Sequence, residues 1–70
     1  MRNPSLLKKT AKRIKQLRTE RAITQEEFYF DTGIHIGRIE AEHQNISLST
    51  LKVICDYFKV TLEEFFRGIA

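Results

Sequence analysis

Residues 23–41 read Ile23-Thr24-Gln25-Glu26-Glu27-Phe28-Tyr29-Phe30-Asp31-Thr32-Gly33-Ile34-His35-Ile36-Gly37-Arg38-Ile39-Glu40-Ala41. Thr24 followed three residues later by Glu27 is a capping box: the hydroxyl accepts from a free amide of the first turn and the carboxylate reaches back. A helix therefore starts at Gln25, runs to about 31 and carries Phe28 inward. Asp31-Thr32-Gly33 interrupts it, because Asp and Thr favour caps and Gly is a poor helix former. A second helix is expected over about 33–41, with Thr32 as its cap and Ile36 and Ile39 on the core side. At about 100° per residue, Ile34, Gly37, Arg38 and Ala41 fall on or near the opposite side. Two short helices joined by a tight break are the centre of the chain.

The flanks are helical too. Leu7, Ala11, Ile14 and Leu17 recur at helical spacing and give an amphipathic helix over about 6–20. Glu42 to Ile46 reads as a polar loop. Ser47 caps a helix over 48–58 whose Leu48, Leu51, Ile54, Cys55 and Phe58 form one apolar stripe. Thr61 with Glu64 is a second capping box and opens a helix over 62–67, with Leu62, Phe65 and Phe66 expected to face in. No segment alternates with period two. The reading is one all-α domain over 1–70 with five short helices and a core that includes Phe28, Leu48, Leu51, Cys55 and Phe58.

Composition narrows the function classes. Hydrophobic residues make up 41% and charged residues 30% of the chain, the balance of a folded soluble domain rather than a disordered one. No apolar run approaches the ~18 residues that cross a bilayer, so no membrane partner is expected. Met1-Arg2-Asn3-Pro4 carries no apolar segment after its charge, so no signal peptide is expected and a cytoplasmic protein fits. Cys55 is the single cysteine, which rules out an internal disulfide framework. His35 and His43 lie too far apart to share one helical face as metal ligands. Neither a nucleophile–base arrangement nor a glycine-rich phosphate loop is present, so catalysis, metals and cofactors are not expected. Residues 1–21 hold eight cations against one acid, Glu20, whereas the remainder holds four cations against eight acids. That basic segment suits phosphate contact, and a solvated helix face would have the same composition.

The order of these features resembles the Cro/CI-type family, also called lambda-repressor-like or XRE-type helix-turn-helix domains. The matching stretches are Arg13-Ile14-Lys15-Gln16-Leu17-Arg18, Ile23-Thr24-Gln25-Glu26-Glu27-Phe28, Arg38-Ile39-Glu40, Asn45-Ile46-Ser47-Leu48-Ser49-Thr50-Leu51 and Phe58-Lys59-Val60-Thr61-Leu62-Glu63-Glu64-Phe65-Phe66. The resemblance spans roughly residues 7–67. Each stretch alone is weak, and their shared order carries the likeness. It implies a compact five-helix lambda-repressor-like fold that binds double-stranded DNA as a transcriptional regulator. The helix over 33–41 would lie in the major groove while helix 25–31 crosses the backbone, and a homodimer would span two half-sites.

The resemblance also suggests roles. Gln25, at a helix start, faces phosphate, where free amides and the helix dipole favour an anion. Arg38 is the first choice for a base contact, bonding guanine O6 and N7, with phosphate or a neighbouring acid as the alternatives. Ile34 meets thymine methyl groups or simply fills its patch, His35 donates to phosphate or is a surface residue without a role, and Thr24, Thr32, Gly33 and Gly37 complete the DNA-facing set. Lys12 adds a phosphate contact from the first helix. Glu40 pairs with Arg18 structurally, and Phe65, Phe66 and Tyr57 are candidate dimer contacts.

Three features depart from the family pattern. The interval from Gln25 to Arg38 is about three residues short, a lost turn assigned to the end of helix 25–31, with the start of the next helix as the alternative. Tyr29 stands where a small alanine is usual, and an aromatic there fills space that the lost turn releases. Ala41-Glu42-His43-Gln44-Asn45 replaces a glycine followed by basic residues and puts Glu42 where it repels phosphate. That acidic loop favours the competing expectation, a protein-interaction module such as an antitoxin or adaptor on the same fold.

Overall fold

A computed structural model describes residues 3–42 and 45–69. It contains α1 (Pro4–Glu20), α2 (Gln25–Thr32), α3 (Ile36–Glu40), α4 (Leu48–Phe58) and α5 (Leu62–Arg67), and no strand among the described residues. No described helix is long and apolar enough to cross a membrane. His43 and Gln44, within the expected polar loop, lie outside the described residues.

Local chemistry sets most helix ends. The Asn3 side chain accepts from Leu6 N at 3.0 Å and Pro4 occupies the first turn, where its missing N–H costs nothing. α1 therefore begins two residues before the expected position. Thr24 and Thr61 each form the complete capping box with Glu27 and Glu64. Hydrogen bonds from Thr61, backbone first and hydroxyl second, hold the Glu64 carboxyl below its usual range. Ser47 caps α4 by accepting from Thr50 N at 3.1 Å. Among the described residues, three non-glycine positions sit in the left-handed region: Ala22, Glu42 and Lys59, with φ of 54°, 62° and 58°.

Ile14, Leu17, Phe28, Ile36, Ile39, Leu51, Ile54, Cys55, Phe58 and Phe65 form one buried cluster drawn from all five helices. Phe28 anchors its aromatic part, stacked 5.5 Å from Phe58 and edge-on at 4.7 Å to Tyr57. Burial pushes the Cys55 thiol up, with the neighbouring Asp56 carboxylate adding to it. Two side chains expected inside are not there. Leu48 is 71% exposed, because the first residue of α4 lies beyond the end of the core stripe. Phe66 is 41% exposed: it sits about 100° round α5 from the fully buried Phe65, at the edge of the short helix's apolar side.

The expected helix over 33–41 is the main correction. Gly33 ends α2 in the left-handed conformation, φ 74°, with its N–H on Tyr29 O at 2.7 Å. The Thr32 hydroxyl donates back to Phe28 O at 2.7 Å and accepts from Ile34 N, so it closes α2 instead of capping α3. α3 then starts only at Ile36, after His35, which supplies no side-chain cap bond. α2 is eight residues long and α3 five. The lost turn therefore falls at the start of the third helix, not at the end of the second.

Candidate nucleic-acid interface

α3 owes its position to its neighbours. Ile36 and Ile39 are fully buried beneath it. At its C-terminal end Glu40 accepts two bonds from Arg18 of α1, at 2.7 Å from Nε and 3.0 Å from Nη2. The Arg18 and Glu40 side chains are only 12% and 5% exposed, and the hydrogen bond to Glu40 raises the guanidinium pKa. Arg18 Nη1 also donates to Ile23 O at 2.9 Å, which ties the turn before α2 into the same knot. This forked pairing fixes both orientation and distance between helices.

Gln25 joins that knot from the other side: its Nε2 donates to Glu40 Oε1 at 3.1 Å. The route crosses Gly37, where a Cβ would meet Gln25 Oε1 at 3.0 Å, so a side chain there would crowd the amide. Sequence reasoning did not anticipate this bond, because nothing local links positions 25 and 40.

Gln25, His35, Gly37 and Arg38 line one shallow groove of about 340 Å³, together with Glu26, Tyr29 and Ile36. The Arg38 backbone N–H donates to His35 O at 3.1 Å, but its exposed guanidinium makes no hydrogen bond or ion pair among the described residues and is available for an outside acceptor. His35 is exposed with its ring stacked on Tyr29, centroids 4.5 Å apart. Tyr29 is itself 47% exposed and braces the loop before α3 from outside.

The remaining predicted site residues lie apart from this groove. Thr24 and Thr32 are committed to α2 as cap and closing residue. Gly33 is exposed at the turn, and Ile34 is half-buried against the core, which reduces the methyl surface it offers outward. Lys12 lines a different groove, with Lys9, Arg13, Gln16, Gly68 and Ile69. Of the candidate dimer contacts, Phe65 is buried and the half-buried Tyr57 donates to Asp31 at 2.6 Å, which leaves Phe66. That hydrogen bond to Asp31 is also the main reason the Tyr57 hydroxyl pKa is raised. Among the described residues no group of histidine, cysteine and carboxylate side chains has the arrangement of a metal site.

Two consecutive helices joined by a left-handed glycine, the second with its apolar side buried and Arg38 exposed, have the helix-turn-helix arrangement. A helix-turn-helix family model matches residues 14–65, and the chain belongs to that family, the XRE or lambda-repressor-like group of DNA-binding regulatory domains. No curated protein and no solved structure matches the chain.

Proposed function

We propose that this domain binds duplex DNA sequence-specifically to regulate transcription, with α3 and the preceding loop 33–35 in the major groove and two copies on paired half-sites. The observation that carries this reading is the unpartnered Arg38 guanidinium in the same groove as Gln25 at the start of α2. That pairing suits a duplex: the helix start and its amide face phosphate, while a guanidinium one helix over reaches a base edge. His35 and the loop at Gly33 approach the backbone beside them, and Ile34 offers a limited apolar contact. Thr24 keeps the first turn of α2 in place, and Lys12 attracts phosphate from outside the groove.

A titration series tests it. Log K for a selected duplex should fall with log salt, with a slope near −0.9 for each phosphate neutralised. Arg38→Ala should relax base preference by about 1–3 kcal/mol at one position, whereas Lys12→Ala should weaken all duplexes alike. Binding that ignores salt, or the reverse ordering of the two variants, would overturn the assignment. Glu26 in the groove favours a second reading, a protein-interaction module on the same fold; a random duplex pool that returns no enriched motif would decide for it.

A further inference from the structure

Phe30 is the most exposed large hydrophobic side chain of the described residues, at 88%. It stands beside Glu26, Glu27 and Asp31 at a groove of about 220 Å³ on the outside of α2. This is an apolar knob with a negative rim. Nearby α3 is not needed to form it, and Phe30 has no part in the Gln25–Arg38 groove.

A second groove, of about 310 Å³, has the opposite character. Lys9, Lys12, Arg13 and Gln16 of α1 enclose it, with Gly68 and Ile69 after α5 as its floor. Lys9 and Lys12 are exposed and make no ion pair among the described residues. The Arg13 guanidinium lies over Gly68, with Nη1 donating to Gln16 at 3.1 Å and Nη2 to Glu64 O at 3.4 Å. Its Nε is buried without a partner among the described residues.

We infer that this chain docks head-to-tail on a second copy of itself, with Phe30 and its acidic rim seated in the basic groove between α1 and the end of α5. The charges select this occupant. Two knobs repel each other, as do two basic grooves, while knob and groove are opposite in sign, and Ile69 lines the groove as an apolar contact for the Phe30 ring. The two patches share no residue, so the contact is heterologous, and each copy can offer both ends at once. One aromatic ring and a charged rim make a small interface, weak and sensitive to salt. Since Lys12 belongs to the groove, a second copy and a DNA backbone compete for that cation.

The test uses two full-length variants whose changes are all at exposed positions, in the absence of DNA. Phe30→Ser loses the knob and keeps the groove; Lys9→Glu with Lys12→Glu loses the groove and keeps the knob. Each alone should give amide spectra that do not change with concentration at these surfaces. Adding unlabelled Phe30→Ser to the labelled lysine variant should shift amides around Phe30, and the reverse labelling should shift those around Gln16 and Ile69. Raising salt from 0.1 M to 1 M cuts the screening length from about 10 Å to about 3 Å and should weaken the complex at least about fivefold. Absence of shifts in the mixture overturns the contact, as do shifts at other surfaces or shifts that persist when one chain carries both sets of changes. The measurement contains no duplex, so its outcome and that of the DNA titration are read separately.

Discussion

α4 and α3 are both short helices with one face in the core, yet they are secured by different means. α4 has its own cap at Ser47, a closing residue at Lys59 and four buried side chains, Leu51, Ile54, Cys55 and Phe58. α3 has five residues, no side-chain cap bond and two buried side chains, and its far end is held by Arg18 and Gln25 through Glu40. Helices this short are unstable alone, so α3 exists because its neighbours hold it. A helix fastened from behind and at one end can leave its outer side empty for a ligand. α4 is secured by its own cap and core stripe; α3 is secured through its neighbours, and of its five residues Arg38 is left exposed.

The contrast can be broken at α3's anchors. The largest effect is expected for Ile39→Ala, which empties a fully buried site and should cost about 2–5 kcal/mol in denaturant unfolding. Ile54→Ala in α4 should fall in the same range. Equal loss of α3 and α4 amide protection in both variants would show one cooperative unit; α3 opening alone would show that its dependence is local. Next comes Arg18→Met, which strands the Glu40 carboxylate and should cost about 2–3 kcal/mol, below a fully buried pair because some solvent reaches it. The same variant should also loosen α3 at no cost to α5, measurable by hydrogen exchange.

Thr24→Ala should cost about 1 kcal/mol by removing the α2 cap, against a similar figure for Ser47→Ala in α4. The smallest effect is a matter of pH. The folded-state pKa of Glu64 is depressed, so its contribution is present above the unfolded value and is lost as pH falls through the folded one. Amide protection at the start of α5 should therefore decline in acid before that of α3, and Glu64→Gln should flatten the difference.

The same contrast explains what could be read from the chain alone. Ser47 and the Thr61–Glu64 box are local signals, and α4 and α5 begin where those residues dictate. Asn3-Pro4 is an equally local signal for the start of α1, but the apolar periodicity that begins at Leu7 points to a later boundary. Thr32 misled because a threonine before glycine can cap the next helix or close the previous one. The bond back to Phe28 O and the left-handed Gly33 decide between these, and only the folded backbone reveals them. Leu48 and Phe66 lie at the edges of their stripes, where spacing does not separate core from surface. The Arg18–Glu40 pair was legible through resemblance to a family. The Gln25–Glu40 bond and the His35–Tyr29 stack depend on how α2 and α3 meet, which no local pattern encodes.

The brevity of α3 sets a reading length. Five residues rise about 7.5 Å, the height of roughly two base-pair steps. In the proposed docking, α3 with the three loop residues before it still distinguishes only a short word, and selectivity in a genome then draws on spacing between words, on the shape of the intervening duplex, or on both.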